Sequence, residues 1–404
     1  MELRPGNKQT EVGEVPLDWQ VFRLSDHFEI YAGGDVPKDS LSDVQSERFP
    51  YPIFANALQR RGLYGYTNER RSKPDSITIT ARGYLGHAEY REEQFFPIVR
   101  LLVLEPRGSL DAKFSTYVIN NRIVFPVEST GVPQLTAPQV SKYSLAAPTD
   151  VNEQRAIAAA LSDVDALIAG LEKLIAKKRD LKQAAMQQLL TDQTRLPGFS
   201  GELVVKRLGD VGECLRGVSY KGDSDLFSHD TDRSKRLLRS NNVQESLVVT
   251  SDLQYVKVDR VREHQILREG DILICMANGS KVLVGKAGYF EINDGFEYTF
   301  GAFMGVYRGN EQANRRFVFY LFQTGRYRDY ITNLLAGSSI NNLSPSSIES
   351  LQFKFPELSE QEAIAQTLTD MDSELITLES RLAKTRELKQ GMMQELLTGR
   401  TRLV

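Results

Sequence analysis

Basic and amide side chains gather twice along this chain. The first group is Arg60, Arg61, Arg70, Arg71 and Lys73, close to Tyr64 and Tyr66 and followed by Arg82, Tyr84 and His87. The second is Lys221, Arg233, Lys235, Arg236 and Arg239, followed by Asn241 and Asn242 and, farther on, by Asn278, Lys281 and Lys286. Arginine and lysine neutralise phosphates, while arginine, asparagine and glutamine match the edges of guanine and adenine in the major groove. Taken singly, each of these side chains also reads as solvated surface charge. Their clustering in two separate stretches is what points to duplex DNA. Replacing Arg71 or Arg236 by alanine is expected to weaken DNA binding and, for a phosphate contact, to reduce its salt dependence.

Motifs that would carry catalysis are missing from the sequence. The run Gly279-Ser-Lys-Val-Leu-Val-Gly285-Lys286-Ala287 approaches a phosphate-binding loop, but five residues separate its glycines and alanine replaces the magnesium-binding serine or threonine. It reads as a glycine-bounded turn with exposed lysines between strands. His27, His87, His229 and His264 have no metal-ligand spacing. Gly337-Ser338-Ser339 lacks the second glycine of a hydrolase elbow, and no Gly-x-Gly-x-x-Gly turn occurs. No pair of carboxylates is singled out for acid/base work or for a two-metal nuclease. The sequence therefore predicts no catalytic residue, no metal and no cofactor in this chain.

What must hold the two basic groups in place is a repeat. Glu153-Gln154-Arg155-Ala156-Ile157-Ala158 returns as Glu360-Gln361-Glu362-Ala363-Ile364-Ala365, and Thr194-Arg195-Leu196 as Thr401-Arg402-Leu403, 207 positions later. Ile157, Leu161, Val164, Ile168, Leu171 and Ile175 fall at alternating four- and three-residue steps, the a/d spacing of a coiled-coil seam. Ile364, Leu368, Met371, Leu375, Leu378 and Leu382 repeat it in register. Each copy predicts one long helix, the first over 152–190 and about 57 Å long at 1.5 Å per residue, too long to lie inside a compact domain. The two stripes are expected to pair antiparallel, and lysine in place of Leu171 and Leu378 should disrupt the pairing.

Before each helix lies a segment of short strands and turns. Leu24, Asp26 and Gly33 match Leu208, Asp210 and Gly217 at one offset; residues 75–83 match 271–279; Leu135, Val140, Tyr143, Leu145 and Pro148 answer Leu343, Ile348, Leu351, Phe353 and Pro356. Strands are predicted over 76–80, 97–104, 271–276 and 283–290, and short helices over 112–121 and 315–330. The fold class is α+β: two mixed, strand-rich domains separated by two long antiparallel coiled-coil helices, with pseudo-two-fold symmetry. The expected boundaries are 1–148 and 197–356 for the globular domains, and 149–196 and 357–404 for the helices.

The length of 404 residues suits more than one domain, and 41% hydrophobic with 25% charged residues excludes bulk disorder and an integral membrane protein. Two cysteines, Cys214 and Cys275, cannot build a disulfide framework, and with no apolar leader or membrane span the expected location is the cytoplasm. A net charge of −3 is unlike the usual basic footprint of a DNA binder, so DNA contact must rest on local patches.

The repeated Glu-Gln-x-x-Ile-Ala starts after Pro148 and Pro356, the long helices ending in Leu-Leu-Thr at 189–191 and 396–398, and Gly270-Asp-Ile-Leu-Ile274 make the whole chain resemble the specificity subunit of type I restriction-modification enzymes. Pro74-Asp-Ser-Ile-Thr-Ile79 is similar to the family's corresponding strand in the first domain. The resemblance implies a non-catalytic subunit whose two target-recognition domains each read half of a split DNA sequence, with the paired helices setting the gap. It further implies two methyltransferase subunits using S-adenosylmethionine, and restriction subunits using ATP and Mg²⁺, as partners. Because the two globular segments share only signposts, the target is expected to be asymmetric. A coiled-coil scaffold carrying two protein- or carbohydrate-binding modules, and a stand-alone nuclease or methylase, are the other readings.

Overall fold

The computed structural model of the chain describes residues 4–126, 133–191, 193–336 and 341–403. The Gly337-Ser338-Ser339 run lies outside the described residues. The chain divides into two compact units, one formed by the residues up to Lys173 together with those from Ser380 on, the other by Leu174–Glu379.

In the first unit, four antiparallel strands run in the order Phe28–Ala32, Leu102–Pro106, Ser76–Ile79, Ala88–Arg91. Leu102 to Glu105 are all buried, as befits a strand flanked on both sides. A smaller sheet joins Leu63–Thr67, Tyr51–Phe54 and Phe96–Pro97. The helix Ala112–Arg122 begins where the Asp111 carboxylate accepts the Phe114 amide at 2.8 Å, and it buries Phe114, Val118 and Ile119 against the larger sheet. Trp19, Leu24 and Phe28 complete this core.

The second unit has a six-stranded sheet in the order Gly212–Arg216, Met304–Gly309, Ile272–Cys275, Ala287–Tyr289, Leu247–Val248, Val243–Gln244, and a four-stranded sheet of Leu226–Phe227, Gln254–Lys257, Ser234–Leu238 and Tyr298–Phe300. Three expected elements are shorter or divided. The strand expected over 97–104 is broken between Pro97 and Leu102, where the amide of Leu101 turns back to the carbonyl of Ile98 at 3.1 Å. That over 283–290 shrinks to Ala287–Tyr289, because residues 280–283 form a turn. The helix over 315–330 becomes Arg315–Leu321 and Gly325–Ala336: the Thr324 hydroxyl donates to the Leu321 carbonyl at 2.7 Å, closing one helix, and accepts the Tyr327 amide at 3.3 Å, opening the next.

The long helices span Val151–Leu190 and Leu358–Leu396. In the first unit Glu172 pairs with Arg386 at 2.6 Å and Asp165 with Lys389 at 2.7 Å; in the second Lys178 pairs with Glu374 at 2.7 Å and Lys182 with Asp372. Rising numbers on one helix meet falling numbers on the other, so within each unit the segments are antiparallel. Ile157, Leu161, Leu171, Ile175, Ile364, Leu368 and Leu375 are buried along the seam, and Val164, Ile168, Met371, Leu378 and Leu382 half-buried. The helix starts sink into the domain cores, Ile157 and Leu161 in the first unit with Leu396 and Leu397, and Ile364 and Leu368 in the second with Met186 and Leu190.

The repeat extends to single hydrogen bonds. Gln154 donates to the Pro148 carbonyl at 2.9 Å and accepts the Asp111 amide at 2.7 Å; Gln361 donates to Pro356 at 2.8 Å and accepts the Asn314 amide at 2.9 Å. Tyr117 donates to Asp165 at 2.7 Å, as Tyr320 does to Asp372 at 2.8 Å. Arg402 chelates the buried carboxylate of Glu153 with its nearest atoms 2.5 Å apart, and Arg195 does the same to Glu360 at 2.6 Å. Gly33 and Gly217 recur for one reason: a Cβ there would lie 2.6 Å from the Ile98 carbonyl oxygen or 2.0 Å from that of Gly301.

Candidate nucleic-acid interface

Most of the basic residues sit on loops, while Lys235 and Arg236 lie on the strand Ser234–Leu238, and the surroundings sort them into committed and uncommitted cations. In the first unit Arg60 and Arg61 form a turn, both with positive φ, of 50° and 54°. Buried Arg91 anchors that turn: its guanidinium lies 3.7 Å from the Phe54 ring centroid and donates to the Arg61 carbonyl at 2.8 Å and to Thr78 at 2.9 Å. Burial pushes Arg91 down to about 10. Arg61 is paired with Glu89 at 2.8 Å, Arg70 donates to Gln94 at 2.9 Å, and Lys73 lies 3.5 Å from Glu105. His87 also meets Glu89, at 3.1 Å, while Tyr84 stands 64% exposed beside it. Arg60, Arg71 and Arg82 are exposed, and among the described residues their side chains make no hydrogen bond or ion pair. Asn56 fixes the Arg82 loop by accepting the Ala81 amide at 2.5 Å and donating to the Arg82 carbonyl at 2.7 Å.

In the second unit the central part of the predicted group is spoken for. Arg236 donates to Asp230 at 2.9 Å, to Asp294 at 3.0 Å and to the Tyr298 hydroxyl at 2.9 Å, with its guanidinium 3.2 Å from the Phe296 ring centroid. Lys235 pairs with Glu297, and Arg239 and Asn241 both donate to Asp252, at 2.9 and 2.8 Å. Asn242 is buried and ties the carbonyls of Val249 and Ser251. A cation bracketed by carboxylates presents less positive field to a phosphate, and these pairs tie Lys235, Arg236 and Arg239 into the domain. Lys281 donates to the Leu335 carbonyl at 3.3 Å and Asn278 to Ser240 at 3.5 Å. Lys221, Arg233 and Lys286 have side chains without such partners among the described residues.

Among the described residues no group of three or more His, Cys, Asp and Glu could hold a metal ion, and no helix is long and apolar enough to cross a membrane. Both cysteines are buried and unpaired, and burial pushes the Cys214 thiol up to about 12, far from a reactive thiolate. The phosphate-loop lookalike adopts the turn its spacing predicts, with the Leu283 amide donating to the Ser280 carbonyl at 3.1 Å.

The model of the type I restriction modification DNA specificity domain matches residues 16–178 and 201–390, so the chain belongs to that family. The specificity subunit of the type I restriction enzyme EcoKI from Escherichia coli (strain K12) is 32% identical over 196 residues, 48% of this chain and 42% of that protein. The StySPI specificity subunit from Salmonella potsdam is 32% identical over 189 residues, 47% of this chain and 40% of that one. The chain thus spans under half the length of these two curated relatives. The MjaVIII specificity subunit from Methanocaldococcus jannaschii matches at 22% identity over 420 residues, covering 96% and 94% of the two chains. A crystal structure of a type I restriction-modification S subunit from M. genitalium shares the fold, with a TM-score of 0.66 over 98% of both chains at 15% identity. These matches give the scaffold reading no support.

Proposed function

We propose that the chain is the non-catalytic, sequence-reading subunit of a type I restriction-modification complex. Each globular domain reads one half of a bipartite, asymmetric DNA target, and the antiparallel helices fix the untouched gap. The chain recruits two methyltransferase subunits and, through them, restriction subunits, in the cytoplasm; S-adenosylmethionine, ATP and Mg²⁺ are used by those partners. The observation that carries this reading is a frame repeated to the level of single hydrogen bonds, around exposed loops whose residue types differ. Equal frames with unequal loops are what two readers of different half-sites require.

The test is a genome-wide map of methylated bases in the source cell with and without this gene. Loss of methylation at one split, asymmetric motif is the expected result. A palindromic motif would remove the asymmetry, and salt-independent binding of duplex DNA by the chain with its methyltransferase would remove the reading itself.

A further inference from the structure

Three loop segments meet at one edge of the first unit. Arg82 and Gln134 form an antiparallel bridge, and Arg100, on the turn over residues 98–101, donates to the Gln134 side chain at 3.3 Å. All three residues are exposed. The second unit builds the same edge. Ala277 and Asn342 form the bridge, so Ala277 takes the position of Arg82 with Asn278 one residue on, and the turn over residues 301–304 takes the place of the turn over 98–101. The two turns are superimposable in their bonds. The Leu101 amide donates to Ile98 at 3.1 Å and the Met304 amide to Gly301 at 2.8 Å; Gly33 donates to the Leu101 carbonyl at 2.8 Å and Gly217 to that of Met304 at 3.2 Å. Arg100 and Phe303 therefore occupy one and the same turn position.

Their chemistry diverges. Phe303 is 71% exposed, and its carbonyl holds the amides of Met276 and Ala277 at 2.9 and 3.0 Å, so its backbone is fixed against the strand end that bridges to Asn342. The first edge offers guanidiniums and one amide; the second offers amides and a phenyl ring. A guanidinium fork matches guanine O6 and N7, whereas an apolar side chain beside amides suits a thymine methyl paired to adenine.

Building on the functional reading above, we propose that Arg100 and Phe303 are specificity-determining residues, Arg100 contacting a guanine in one half-site and Phe303 a thymine methyl in the other. Both side chains project from the surface, so each can be replaced without opening a core.

The experiment uses the full chain co-expressed with its methyltransferase in a host without other methylation. The motif of the unaltered complex is mapped first. Binding is then measured on duplexes in which each base pair of that motif is changed in turn, for the unaltered chain, Arg100→Ala, Arg100→Lys and Phe303→Ala. The expected result is that Arg100→Ala lowers discrimination about tenfold at one G·C pair of one half-site, that Arg100→Lys restores only part of it, and that Phe303→Ala lowers discrimination at one A·T pair of the other half-site. Uniform loss across all duplexes, unchanged discrimination, or both variants acting on the same half-site would overturn the assignment. If the unaltered complex reads no split motif, the functional reading falls and takes this inference with it.

Discussion

Arg402 and Arg195 do the same work in the two units, each clamping the buried glutamate that opens a long helix, yet their remaining contacts differ. Arg402 also grips the Asp18 carboxylate, at 2.9 and 2.7 Å, whereas Arg195 donates to the Gly201 carbonyl at 2.8 Å. The same gradient runs through both units. Contacts at the helix starts are copied, those a layer outward are copied in role, and at the loop edges the backbone bonds are copied while the side chains differ. A side chain that closes the frame has a buried partner dictated by the fold; one at the edge is exposed and less constrained by the chain.

Seven substitutions break or sharpen the comparison. The largest effect is expected from the clamps. Arg402→Ala and Arg195→Ala each strand a buried glutamate, and each should lower stability more than any other change here in denaturant unfolding. If only one of them does so, the frames are not equivalent. The seam comes next: Leu171→Lys places a charge where the leucine is 5% exposed, at an expected cost of about 3 kcal/mol, whereas Leu378→Lys, at a half-buried position, should cost about 1 kcal/mol. Equal costs, read from paired melting curves, would mean that the seam is packed alike at both positions.

Smaller changes separate committed from uncommitted cations. Arg236→Ala should destabilise the second unit by about 1.5 kcal/mol while leaving the salt slope of DNA binding unchanged. Arg71→Ala should reduce that slope by about 1 with no loss of stability. Binding titrations at several salt concentrations distinguish the two, and a lower slope for Arg236→Ala would place it back among the phosphate contacts. The smallest effect is on pH. The hydrogen bonds from Arg402 hold the Asp18 carboxyl below its usual range. Its contribution is therefore full above the ordinary carboxylate value and lost as pH falls through the lowered one, and for this largely exposed group it amounts to less than about 0.5 kcal/mol. An Asp18→Asn chain whose stability between pH 5 and 3 parallels the parent would remove that contribution.

The frame was legible in the sequence because its signals are local or repeated: the seam spacing, the Glu-Gln starts, the matched glycines and the aliphatic strands before them. The loop chemistry was legible only in part. Lys235, Arg236 and Arg239 look like a basic patch because Glu297 and Asp294, which pair with Lys235 and Arg236, lie 62 and 58 residues away and Asp252 lies 13 from Arg239. The helix break at Thr324 rests on a hydroxyl choosing a backbone partner, which periodicity does not reveal. Arg100 and Phe303 carry no motif; only the match of two turns in space brings them together.

The division of the chain also orders its own birth. Leu174–Glu379 is one uninterrupted run, whereas the other unit needs the residues from Ser380 on to finish its core. At about 5–20 residues per second, a ribosome takes about 10–40 s to travel from the end of the first stretch to the start of the last. Throughout that interval Ile157 and Leu161 lack Leu396 and Leu397, the side chains that cover them in the finished molecule. Of the two units, the one whose synthesis starts earlier is also the one whose last residues are made later.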